Sequence, residues 1–206
     1  MRMGAAQAAM VLLLVATASS AQEDLTQAKA SFIFNGERIK ISRDNPQAAQ
    51  FVLAFAGSAG SCGAPCIAPL NVAPGVRTLD EIEVLNFLVS EVAGNRGLMV
   101  DARLPQDRAL GYIPGSVSLP YSTMDPENDF KDDILRALGA REFEGVFNFA
   151  DARQLLVYDK GPGSNDAGVL VSALLAAGYP PEMIRYYRGG MQVWSVLGFS
   201  IEAGQL

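Results

Sequence analysis

The chain has 206 residues, a formal net charge of −6 at pH 7, 50% hydrophobic residues, two cysteines and no histidine. The acidic balance disfavours nucleic acid and anionic lipid as partners, and the missing histidine removes the commonest metal ligand, the commonest general base and every Ser-His or Cys-His catalytic pair. Two thiols are too few for a zinc site of three or four cysteines. No metal and no cofactor is therefore expected, and any chemistry falls to carboxylates, Lys, Arg, hydroxyls or the thiols of Cys62 and Cys66.

Residues 1–21 combine a basic start at Arg2, an apolar run from Ala8 to Ala16 and the small residues Ala18, Ser19, Ser20 and Ala21. That is the layout of a cleavable secretory signal. The apolar run is well short of the ~20 residues that span a bilayer, so a protein without a membrane anchor, periplasmic or secreted, is expected once the leader is removed. Residues 22–77 read as an N-terminal extension. Ser31–Phe34 and Glu37–Ile41 flank Asn35-Gly36, a hairpin-turn dipeptide. Residues 46–55 read as a helix capped by Asn45 with Pro46 at its first position. Residues 57–74, rich in Gly, Ser, Pro and Ala, form a linking loop that holds Cys62 and Cys66.

Residues 78–206 read as the main domain. Thr78-Leu79-Asp80-Glu81 matches a capping box, followed by apolar residues at helical spacing through Leu88. Gly97–Asp101, Leu155–Tyr158 and Met183–Tyr187 are short apolar runs suited to buried parallel strands. Helices are expected over 129–138, 166–177 and 192–197. Strands alternating with helices predict an α/β fold, an open parallel sheet covered on both faces, with the site at the carboxyl ends of the strands. Those ends are the turns after Asp101, Tyr158 and Tyr187.

Three segments carry a family resemblance. Val100-Asp101-Ala102-Arg103 with Gly111-Tyr112-Ile113-Pro114-Gly115-Ser116 resembles the first signature of the rhodanese-like family, with Tyr112 where a histidine is usual. Leu156-Val157-Tyr158-Asp159 resembles the strand that enters the family's active-site loop, and Gly189-Gly190 followed by Trp194 resembles its C-terminal signature. Read from the residues themselves, Asp101 and Arg103 suit a structural ion pair or loop anchor, Gly189 and Gly190 a sharp turn from strand to helix, and Trp194 the core.

The resemblance implies a loop, Asp159-Lys160-Gly161-Pro162-Gly163-Ser164-Asn165, in which active members hold a cysteine. Backbone amides and a helix N-terminus there lower the thiol pKa and stabilise a persulfide. The exported members that this chain resembles most carry Cys-Asn-Gly-Pro-Trp-Cys, so Asp159 and Ser164 fall at the two cysteine positions. The related phosphatase loop requires an arginine where this chain has Asn165. A carboxylate cannot form a persulfide, so sulfurtransferase activity is not expected. The resemblance implies instead an accessory or binding module for an unknown protein or a small anion. The same loop predicts that inward amides depress the Asp159 pKa and would lower that of a thiol placed there. Gly161-Pro162-Gly163 lacks the Gly-Lys-Ser/Thr ending of a phosphate-binding P-loop. Cys62 and Cys66, in an oxidising compartment, are expected to pair as a disulfide, structural or redox-active.

Overall fold

A computed structural model of the protein describes residues 29–43, 48 and 67–203. The leader over 1–21, nearly all of the helix expected over 46–55, and both cysteines lie outside the described residues.

Strands β1 (Ala30–Phe34) and β2 (Glu37–Ile41) form an antiparallel hairpin in which Phe34 pairs with Glu37. Asn35 and Gly36 adopt φ of 50° and 84°, the left-handed pair that a tight hairpin turn requires. The hairpin is built into the core. Phe32 and Ile41 pack in one buried cluster with Leu85, Met99 and Trp194.

The central sheet has five parallel strands: β3 (Arg77–Thr78), β4 (Gly97–Asp101), β5 (Ser116–Ser118), β8 (Gln154–Tyr158) and β9 (Ile184–Tyr187). They lie in the order β3-β9-β8-β4-β5. Two further strands, β6 (Arg141–Phe143) and β7 (Val146–Asn148), make a separate antiparallel hairpin. Along β8, alternate residues feed opposite faces, as the period of a strand dictates. Leu155 and Val157 join one cluster with Val100, Leu170 and Ile184. Leu156 and Tyr158 join the other, with Met99, Tyr187 and Met191.

Five α-helices have their bounds within the described residues: α1 (Glu81–Phe87), continued as a π-helical turn over Leu88–Val92, α2 (Pro105–Ala109), α3 (Lys131–Ala137), α4 (Asp166–Ala176) and α5 (Gly190–Val196). Leu135 of α3 and Leu170 of α4 pack on one face of the sheet, and Leu85 of α1 and Trp194 of α5 on the other. The fold is therefore the α/β arrangement with helices on both faces that the alternation of elements predicts.

One expectation is corrected. The capping box is centred on Asp80, not Thr78. The Asp80 carboxylate accepts the Glu83 amide at 2.9 Å, and the Glu83 carboxylate accepts the Asp80 amide at 3.1 Å. Thr78 is unavailable as a cap because its backbone pairs with Tyr186 in the sheet.

Candidate functional site

Parallel strands β4, β8 and β9 end level with one another, with Asp101 beside Tyr158 and Tyr158 beside Tyr187. The turns that follow therefore gather at one edge of the sheet. Ala102 donates its amide to Tyr158 O at 2.9 Å. Met191 and Gln192, at the start of α5, donate theirs to Asp159 O at 3.0 Å and Lys160 O at 2.9 Å.

The turn after β4 is organised by a buried ion cluster. Asp101 and Arg103 are both buried. Arg103 Nε donates to Asp101 Oδ1 at 2.8 Å and its Nη2 to Oδ2 at 2.6 Å, a two-point grip. Its remaining donors reach Gly111 O at 2.8 Å and Asp107 O at 3.3 Å. Burial works against the Arg103 charge, but the bonds to Asp101 outweigh it and hold the guanidinium above its ordinary pKa. Arg108, from α2, adds a second cation, with Nη1 3.0 Å from Asp101 Oδ2 and from Ser116 Oγ. Its guanidinium lies 3.8 Å from the centre of the Tyr112 ring, a cation–π contact. The Tyr158 hydroxyl donates to Asp101 Oδ2 at 3.0 Å and accepts the Ile113 amide at 3.2 Å. Burial pushes its pKa well above the usual phenol value. These partners make Asp101 and Arg103 a clamp on the 102–116 segment.

The turn after β8 wraps around Asp159, whose side chain is completely buried. Gly161 donates its amide to Oδ1 at 2.9 Å and Ala167, in the first turn of α4, donates its own to Oδ2 at 3.0 Å. Both oxygens are thus engaged by backbone N–H groups of a cradle suited to an anion. The expectation of a depressed pKa is corrected, because burial dominates. It pushes the Asp159 carboxyl up to about 6, even though the amides of Ala167 and Gly161 and the Ser164 hydroxyl pull it down. The nearby Asp166 carboxylate adds to the rise. Asp166 itself is raised by burial, with Lys160 opposing.

The rest of the loop is a rim. Lys160 is exposed and its Nζ pairs with Asp107 Oδ2 at 3.0 Å. Ser164 donates its amide to Gly161 O at 2.9 Å, Gly163 is exposed, and Asn165 occupies the N-cap position of α4 with no capping bond from its side chain. The turn after β9 closes against this loop. Gly190 has φ of 54°, and a Cβ there would fall 2.5 Å from both Asp159 O and Gly161 N. Only glycine fits so close an approach. A Cβ at Gly189 would fall 2.7 Å from the Tyr187 ring. Trp194 is fully buried, stacks on Phe199 at 4.4 Å between ring centres, and donates Nε1 to Ser200 O at 2.8 Å.

A strap from the N-terminal side covers the loop. Buried Ala68 donates its amide to Pro162 O at 2.7 Å, and its carbonyl accepts Arg188 Nε at 2.8 Å. Arg108 and Ala68 were not singled out by sequence reasoning, and Tyr158 and Arg188 lie in or beside the signature segments without a role assigned to their side chains. Arg108 could have been, because it lies within the first signature and five residues after Arg103, but Ala68 sits in a Gly- and Pro-rich stretch without periodicity. The described residues contain no group of three or more Cys, Asp or Glu side chains able to hold a metal ion. A buried carboxylate with both oxygens bonded can anchor the loop. It cannot perform the sulfur chemistry of a thiolate.

A family model described as Rhodanese-like domain matches residues 88–197. No curated protein matches the chain. Among solved structures, the chain is similar to a protein of unknown function from Rhodopseudomonas palustris, named as a possible tyrosine phosphatase. That likeness has 19% identity and a TM-score of 0.44 over 64% of this chain and 88% of that one. A rhodanese-related protein from Thermoplasma volcanium shows 17% identity and a TM-score of 0.41 over 61% and 97%. A thiosulfate sulfurtransferase from Pseudomonas aeruginosa shows 20% identity and a TM-score of 0.43 over 80% of this chain and 24% of that chain.

Proposed function

We propose that this chain, which belongs to the rhodanese-like domain family, is an exported member that has given up sulfurtransferase turnover and serves as a binding or accessory module in periplasmic sulfur or redox metabolism. The single observation that carries this reading is the burial of Asp159 in the amide cradle, with Gly161 and Ala167 each donating to one carboxylate oxygen. On this reading Asp159 stands at the family's cysteine position and fills from within the cradle that a persulfide or bound anion would otherwise occupy. Sulfur transfer requires a nucleophile that can hold and release a sulfane sulfur, which a carboxylate cannot do. Ser164 and Asn165 replace the other residues that the sulfur-transferring and phosphatase forms of the loop would need. The leader over 1–21, with Arg2 and the following apolar run, supports export, and the surface left for recognition is the exposed rim at Lys160 and Gly163. The test is a thiosulfate-to-cyanide assay on the purified mature protein. Cyanide conversion equal to the protein-free blank is expected. Turnover that is abolished by Asp159→Ala would overturn the reading.

A second reading, a thiol-disulfide or sulfur-carrier protein using Cys62 and Cys66, is favoured by the strap. Ala68, two residues after Cys66, is bonded directly to the loop at Pro162 O. Mass spectrometry of the intact protein, before and after a persulfide donor, separates the two. A sulfur adduct that disappears in Cys62→Ser or Cys66→Ser supports the carrier reading, and an unchanged mass supports the accessory one.

A further inference from the structure

At the end of the sheet away from the 159–165 loop, a cleft of about 430 Å³ opens between the β1–β2 turn and the starts of β4 and β8. That volume lies within the range that encloses small ligands. Its apolar lining includes Phe34, Val92, Leu98 and Val117, of which Val92 is buried and the other three are half-buried. Arg153, also half-buried, stands in the same wall, where its Nη1 donates to Asn95 Oδ1 at 3.1 Å. Among the described residues no carboxylate lies within ion-pair distance of the Arg153 guanidinium, in contrast to Arg103, Arg108 and Arg136.

A guanidinium has five donors in a fixed fork that matches a carboxylate at two points. Asn95 engages one of them through a neutral oxygen, which leaves the charge beside an apolar wall without a counter-ion among the described residues. The arrangement has the two parts that an amphiphilic anion needs, a cation at one side and hydrocarbon surface beside it. Inorganic phosphate or sulfate would meet the cation but leave the apolar lining facing water. An apolar neutral molecule would cover the lining but leave the cation unpaired.

We infer that this cleft is a binding site for a small amphiphilic monocarboxylate, its carboxylate on Arg153 and its hydrocarbon part against Leu98 and Val117. Asn95, held at a φ of 55° in the turn before β4, sets the guanidinium's direction as a positioning residue. The site lies on the sheet's amino-terminal edge, shares no residue with the Asp159 loop, and stands whether or not that loop is inactive.

The test is titration of the isotope-labelled chain with octanoate, followed by amide shifts, beside octan-1-ol as the uncharged counterpart. Saturable one-to-one binding is expected, with the largest shifts at Leu98, Val117 and Arg153. Arg153→Gln should weaken octanoate binding roughly tenfold or more, the scale of one hydrogen bond to a charged group, and Arg153→Lys should restore part of it. Ala93→Trp, at an exposed position on the lip of the cleft, should block binding while leaving the spectrum of the core unchanged. The inference is overturned by any one of three results: no saturable octanoate binding, equal affinity in Arg153→Gln, or octan-1-ol binding as tightly as octanoate.

Discussion

The Tyr158 hydroxyl donates to Asp101 Oδ2 across 3.0 Å, tying the end of β8 to the end of β4 inside the core. The Tyr158 hydroxyl oxygen also accepts the Ile113 amide at 3.2 Å and lies 3.0 Å from Ser116 Oγ. One phenol thereby joins the Asp101–Arg103 pair to the segment leading into β5. Replacing it with Phe keeps the ring but strands a buried amide and withdraws a donor from a buried carboxylate. Tyr158→Phe should destabilise the fold by about 1–3 kcal/mol, read from denaturant midpoints at unchanged slope. A loss below a few tenths of a kcal/mol would show that water replaces the hydroxyl.

For Asp159 the pH dependence follows from the direction of its shift. Its folded pKa of about 6 lies above the ordinary 3.8, so the folded state binds the proton more tightly than the unfolded one. The ionised carboxylate therefore costs stability, and the cost grows as pH rises from about 4 to 6 and is complete above that. Its full size is on the order of 3 kcal/mol. Asp159→Asn carries no charge at any pH but places an amide NH₂ toward one of the two backbone donors, which offsets part of its gain. The wild type should thus lose stability relative to Asp159→Asn between about pH 4.5 and pH 7. Parallel melting curves across that range would contradict the raised pKa.

The sequence reveals elements whose signal is local. Asn35-Gly36 marks the first hairpin because both residues tolerate positive φ, and apolar runs mark β4, β8 and β9. The second hairpin, β6–β7, is not visible in the same way, since its turn places Glu144 at φ of 50° beside Gly145 at 79°, and Glu is not a residue that announces such a turn. Strand β3 has two residues, too few to show a period. The loop's amide cradle is legible from its glycines and the helix that follows. The sign of the Asp159 shift is not, because it depends on burial beneath groups remote in sequence, among them the Gly190 turn packed against Asp159 O.

That strap has its own test. Arg188 Nε holds Ala68 O, and the Ala68 amide is held by Pro162 O. Arg188→Ala removes the first bond without touching the sheet core. Amide exchange at Ala68 should accelerate roughly tenfold, the scale of one charge-assisted hydrogen bond, while the melting temperature hardly moves. Unchanged exchange would mean that other contacts hold the strap.

Asp159→Cys, in a Cys62→Ser, Cys66→Ser background, tests which force governs the cradle. The glycines and helix N-terminus alone predict a thiol of lowered pKa, because amides favour an anion. The structure predicts otherwise. At this position burial already outweighs two amide bonds and the Ser164 hydroxyl for a carboxylate whose oxygens reach the donors directly. A cysteine side chain ends one atom sooner, so its sulfur stands farther from Gly161 N and Ala167 N while sharing the same dry surroundings. The thiol should therefore titrate at or above the ~8.5 of a free cysteine, and its alkylation at neutral pH should be slow. Being neutral at pH below 8, it should also remove the pH-dependent cost that Asp159 imposes, so that stability falls less steeply than in the wild type between about pH 4 and 7. Adding Arg188→Ala, which loosens the strap over the loop, should speed alkylation by admitting water and reagent. A thiol that titrates well below ~7 with the strap intact would show that the amides prevail over burial, and the account of Asp159 would have to be reversed with it.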